Sequence, residues 1–139
     1  MTRRASHTMA FCLLLFLLAG AMEAEGIDLT GTWQSFYEYG LMEESMITTI
    51  QQVGDDIIGS FTARPKVGSE RSGIIFGSVK GDSFKVNLLS VKESEGNSEI
   101  ITITLIEGKV EDENNLKGNY YVHDSKGAIL NGAYKAIRI

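Results

Sequence analysis

A chain of 139 residues holds one domain at most. With 43% hydrophobic and 22% charged residues it is neither disordered nor fibrous. A formal charge of −5 argues against nucleic acid as a partner, since that needs a basic face.

In chain order, the first element reads as a signal peptide over residues 1–21. Arg3 and Arg4 form a basic start, and residues 9–19 are an unbroken apolar run. Eleven residues in a helix span roughly 16 Å, too short for a bilayer core of about 30 Å. Ala19 and Ala21 place small residues before a cut after residue 21; a cut after Ala24 would put Met22 at the same upstream position. Ala21 stands where a lipid-attachment cysteine would follow Leu18-Ala19-Gly20. The sole cysteine, Cys12, lies within the apolar run. These features predict a secreted or periplasmic domain over residues 22–139, with no stable membrane anchor and no disulfide. Removing the leader leaves 11 basic against 18 acidic residues, a net of −7, which disfavours anionic lipid as a partner.

The remainder shows no helix-period segment. Runs rich in Val, Ile, Thr, Phe and Tyr predict strands at residues 29–38, 45–53, 57–63, 73–80, 83–91, 99–110, 116–123 and 128–139. Gly54-Asp55-Asp56, Gly81-Asp82 and Ser125-Lys126-Gly127 are hairpin signals. No connection is long enough for a crossover helix, so each strand pairs antiparallel with its neighbour. An eight-stranded meander has two exposed edges unless it closes. The prediction is therefore an all-β, eight-stranded antiparallel up-and-down barrel. Glycines 59, 77, 108, 118 and 132 each precede a large apolar residue by two positions, a weak repeat that suits sharply bent strands. The meander puts connections 39–44, 64–72, 92–98 and 124–127 at one end, an elaborated mouth. Connections 54–56, 81–82 and 111–115 lie at the other, a tight base.

Leu29-Thr30-Gly31-Thr32-Trp33 opens the domain with Gly-x-Trp on its first strand, and Arg138 ends the last. In that place the motif resembles the lipocalins and avidins, the calycin superfamily. The resemblance implies that Trp33 sits at the closed base with Arg138 packed across it, and Gly31 beside them. Such a stack contributes about 0.5–2 kcal/mol. The length and the absence of a helix before the last strand are more similar to avidins than to lipocalins. The biotin-holding residues are not matched: Trp33 is the only tryptophan, Ser35 replaces the asparagine that follows the motif, and Phe61 replaces a tyrosine. Biotin binding is not carried over; the calyx is.

If Trp33 points inward, period 2 sends Ser35, Tyr37 and Tyr39 inward with it. The Gly-x-aromatic pattern adds Phe61, Val79, Tyr120 and Tyr134, and strand five adds Phe84, Val86 and Leu88. Ser35, Tyr37, Phe61, Phe84, Tyr120 and Tyr134 are the interior candidates for ligand contact. The buried tyrosine hydroxyls need partners: a ligand, one another, Gln51 or water. Strand six is apolar on both faces. Either a bulge shifts its phase or its outer face packs on another molecule, so monomer and homo-oligomer both stay open.

Nothing points to catalysis, to a cofactor or to a metal. His123, beside Asp124, is the only histidine past the leader, and one His with one Asp does not make a triad. The acidic pairs at residues 55–56 and 111–113 lack calcium-loop spacing. Arg64, Lys66 and Arg71, opposed by Glu70 alone, form at most a small anion-attracting rim. Two readings follow. One is an exported barrel that binds a small apolar or amphipathic ligand. The alternative is a protein-interaction barrel without a ligand pocket, such as a protease inhibitor that inserts residues 22–28 into an enzyme. An interior void of roughly 300 Å³ or more favours the first; a filled interior favours the second.

Overall fold

The computed structural model describes residues 26–39, 42–94 and 98–139. The signal-peptide reading falls on residues outside these. Eight antiparallel strands follow one another: β1 (Gly31–Tyr39), β2 (Met42–Val53), β3 (Asp56–Pro65), β4 (Arg71–Lys80), β5 (Ser83–Ser94), β6 (Ser98–Asp112), β7 (Asn115–Asp124) and β8 (Ile129–Arg138). Each pairs with its neighbour, and β8 pairs with β1, closing the barrel.

The predicted strands are all present, but several run further than their apolar cores. β2 starts at Met42, β4 at Arg71, and β5 extends to Ser94. A hairpin ladder holds itself through backbone hydrogen bonds, so polar residues such as Glu43 and Glu44 continue it. The expected long mouth loops shrink accordingly, and the connection read at 39–44 is mostly strand.

Period 2 sorts the side chains as each strand requires. Trp33, Ser35 and Tyr37 face inward on β1, and Met46 and Thr48 do so on β2. Val79, Phe84, Val86, Leu88, Ile106, Val122 and Ala136 join them in one core. The side chain of Tyr39 lies outside what the structure describes. Strand six keeps one phase: Thr104 and Ile106 are buried, while Ile101 and Ile103 are exposed. Its register shift falls between Val110 and Asp112, past the ambiguous stretch, so a bulge does not explain the apolar outer face.

The glycine repeat marks places where strands crowd. A Cβ on Gly132 would stand 2.7 Å from Tyr120 Oη, so the missing side chain makes room for the phenol. Gly108 and Gly118 face each other across β6 and β7, and a Cβ on Gly118 would stand 2.7 Å from the Gly108 Cα.

Arg138 packs across Trp33 at the end of the barrel where β1 begins. The Arg138 guanidinium lies 4.5 Å from the centroid of the buried Trp33 ring. Its nitrogens donate to the carbonyls of Thr30 (2.5 Å), Asp28 (2.8 Å) and Glu113 (2.8 Å). The Trp33 indole donates to the carbonyl of Leu29 at 3.0 Å. Gly31 has φ of 145°, and a Cβ there would stand 2.8 Å from Arg138 Nη1. One guanidinium thus ties the entering chain, the last strand and the β6–β7 turn together. Gln52 anchors the same entering segment by accepting from the Leu29 amide and donating to the carbonyl of Ile27.

Candidate functional site

The β1–β8 seam differs from the other seven. Only three residue pairs, Trp33–Arg138 to Ser35–Ala136, are in register there, where the other ladders have seven to twelve. Beyond Ser35 the paired register of the two strands ends. Continued pairing would set Phe36 opposite Lys135, but both instead line a cleft of about 840 Å³. Phe36, Ala133 and Lys135 form its outer part, and Arg64, Lys66, Glu43 and Ser45 one wall. Tyr37 and Glu44, whose side chains are buried, also border it.

Glu44 is the most heavily buried ionisable group of this region, its side chain 1% exposed. A buried carboxylate requires compensation. The Arg71 guanidinium supplies it from β4 at 2.6 Å, through a nitrogen that also donates to Tyr37 Oη at 2.9 Å. The Tyr37 hydroxyl in turn donates to Glu44 Oε1 in a short hydrogen bond. Burial is the largest cause pushing the Tyr37 phenol far above its ordinary pKa; Arg71 opposes the rise and the Glu44 carboxylate adds to it. The phenol therefore stays protonated, as a donor. The Tyr37 ring packs on Tyr120 with centroids 5.2 Å apart.

The neighbouring charges are mostly engaged. Arg64 pairs with Glu70 at 2.5 Å and Lys66 with Glu43 at 2.9 Å, both pairs largely solvent-exposed. Lys135 has no ion-pair partner among the described residues. Among the described residues the cleft wall thus carries one uncompensated positive charge, beside Phe36, which is 61% exposed.

All six predicted interior residues are buried. Tyr37 alone of them lines the cleft. Phe61 and Tyr120 pack in the core, and Phe84 meets Tyr134 edge to face at 6.5 Å. Burial raises the Tyr134 phenol to about 12. Ser35 Oγ stands close enough to oppose that rise slightly, yet it makes no hydrogen bond of good geometry and is a buried orphan. Gln51, considered as a tyrosine partner, is exposed and faces away; for Tyr37 the partners are Glu44 and Arg71. His123 is exposed, and the Asp124 carboxylate accepts from the amides of Lys126 and Ala128 to close its turn. The Asp112 carboxylate likewise serves Asn114 and Asn115, whose hydrogen bonds lower its pKa.

Sequence reasoning missed Glu44 and misplaced Arg71, assigning both to mouth loops. A signal was present. Glu44 continues the inward phase of Met46 and Thr48, and Arg71 continues that of Gly73 and Ile75.

A scan against protein-family models finds no match, and a search of curated proteins finds none either. Among solved structures, the chain is similar to a redesigned β-barrel, mFAP1, bound to DFHBI. The identity is 18% and the TM-score 0.58, over 79% of this chain and 94% of that one. It is also similar to EF1p2_mFAP2b bound to DFHBI, at 17% identity and a TM-score of 0.62, over 80% of this chain and 94% of that one. At these identities the likeness shows the fold alone.

Proposed function

We propose that this chain is an exported β-barrel that binds a small amphipathic molecule where the β1–β8 register ends, without transforming it. The carrying observation is the cleft itself. Its volume of about 840 Å³ lies in the range of small-molecule sites, and it is bordered by an exposed aromatic ring and by Tyr37 and Glu44, two members of the buried cluster. Five of the six interior candidates, all but Ser35, belong to one buried core cluster, so the seam, which Tyr37 also borders, is the better seat for a ligand.

The lining defines the ligand class. Phe36 and Ala133 offer an apolar surface. Lys135 offers a cation with no ion-pair partner among the described residues, on a chain whose net charge is −5. An aromatic or aliphatic body bearing a single anionic group meets both. The solved barrels of similar fold are bound to a small dye, which supports a ligand-binding role for this architecture. Binding without catalysis fits the cluster's chemistry. Tyr37 is held protonated by burial, so it is a poor base, and Glu44 is committed to Arg71 and Tyr37.

The test is a thermal-shift screen of neutral and monoanionic amphiphiles, together with native mass spectrometry of protein purified from its host. Stabilisation by monoanions that is lost in Lys135→Gln is the expected result. A protein without bound small molecule, whose melting point no compound moves, would refute the reading.

A further inference from the structure

The outer surface of the barrel is divided. On β7, β8 and β1 it mixes polar residues such as Lys117, Asn119, Asn131 and Gln34 with separate apolar ones, Phe36, Ile129 and Ile137. On β3 to β6 it carries Ile58, Ile74, Phe76, Val91, Ile101 and Ile103, each 42–57% exposed. These side chains are contiguous. Ile58 stands opposite Phe76, Ile74 opposite Leu89, Leu89 opposite Ile103, and Val91 opposite Ile101. A trough of about 570 Å³ runs along Ile58, Ile74 and Phe76. At one margin, Lys85 and Glu107 face each other at 3.6 Å and neutralise one another; at the other, beyond Val91 and Ile101, Glu93 stands opposite Glu99, with no ion pair to either among the described residues.

We propose that this face is where a second copy of the chain docks, outer sheet against outer sheet, to form a two-fold dimer. The area fits. Six large side chains, each about half exposed, present on the order of 500 Å² of apolar surface, near the upper end of what a monomer ordinarily leaves uncovered. With Leu89, Leu105 and the polar margin the face approaches the ~800 Å² that each partner contributes to a standard stable interface. The charge pattern selects the partner. The chain is net acidic, so two copies meet with least repulsion over the uncharged centre of this face, with the Glu93–Glu99 end left in solvent. A charged partner would find no charge at the centre of this face to pair with, whereas an identical apolar centre is self-complementary, as a two-fold axis demands. The ladders of β3 to β6 are continuous, so no free strand edge competes with face-to-face packing in this half of the barrel. The same contact supplies the apolar outer phase of strand six with a role. It is independent of the ligand cleft, which lies on the β1–β8 side.

Sedimentation velocity over a concentration series tests this, using protein purified from cells that express the full chain. A monomer–dimer equilibrium is expected. Phe76→Lys and Ile103→Lys should each weaken it about 100-fold or more, because a dimer would bury two unpaired ammonium groups. Asn119→Lys, on the polar side, should leave it unchanged. Circular dichroism checks that the variants remain folded, and Ile103→Thr, which keeps the branched shape, serves if lysine is not tolerated. A chain that stays monomeric throughout, or a dimer indifferent to these substitutions, would overturn the proposal.

Discussion

Arg71→Met isolates the energetics of the buried cluster beside the cleft. The substitution keeps a long apolar stem but leaves the Glu44 carboxylate, 1% exposed, without its cation. Breaking a fully buried pair in this way costs about 3–5 kcal/mol. Arg71 is itself 25% exposed, and solvent partly compensates, so about 2–3 kcal/mol is expected. For a domain of this size that lowers Tm by about 8–12 °C. Urea unfolding followed by circular dichroism measures it, with Arg64→Met as the control. The Arg64–Glu70 pair is mostly exposed on both sides and should contribute no more than about 1 kcal/mol. A second arm tests the sign. Replacing the whole cluster with apolar groups (Tyr37→Phe, Glu44→Leu and Arg71→Met together) should recover much of the loss, since the three polar groups that satisfy one another are then removed together. If Arg71→Met costs no more than Arg64→Met, or if the triple variant is less stable than Arg71→Met alone, the reasoning about a buried, mutually satisfied cluster is wrong.

Three further outcomes are expected. Arg138→Ala removes the stack on Trp33 and three hydrogen bonds to carbonyls. It should cost about 2–4 kcal/mol and open the Trp33 indole to acrylamide quenching; unchanged quenching would contradict that packing. Gly132→Ala drives a methyl group against the Tyr120 phenol and should cost about 1–3 kcal/mol by urea unfolding, whereas a neutral result would remove the packing reason for that glycine. Alkali should also unfold the protein through its tyrosines. The Tyr134 phenol rises from 10.0 to about 12 on folding, and that of Tyr37 rises further. The folded state therefore binds protons more tightly than the unfolded one. The associated stability is fully present below pH 10 and drains away as the pH climbs through 12. For Tyr134 alone it amounts to about 2–3 kcal/mol. Ultraviolet titration should show these two phenolates appearing together with unfolding; their appearance in a still-folded protein would refute the burial argument.

The strands and the base were legible because both are written locally. β-branched and aromatic runs cut by Gly-Asp turns define the hairpins, and Gly31-x-Trp33 with Arg138 marks the two ends that must meet. The glycine repeat announced close contacts such as Gly132 against Tyr120. The cluster at Glu44 and Arg71 was less legible, because predicted strands were ended where their apolar residues ended while the backbone ladder continued. A charged residue that keeps the inward phase just past such an end is the sign to look for. The early end of the β1–β8 register has no local signature. It depends on the stagger summed over all eight strands, which no single segment encodes. The apolar outer face of strand six was visible as an anomaly, and only the unbroken register of Thr104 and Ile106 showed that it is a surface.

The most direct measurement of the ligand reading is an amide chemical-shift titration with 1-anilinonaphthalene-8-sulfonate, an aromatic monoanion, repeated with the neutral N-phenyl-1-naphthylamine. Saturable shifts at Phe36, Tyr37, Ala133 and Lys135 are expected, stronger for the anion and weakened for it alone by Lys135→Gln. Shifts confined to the outer face of β4 to β6, or no saturable binding of either compound, would contradict a site at the β1–β8 seam.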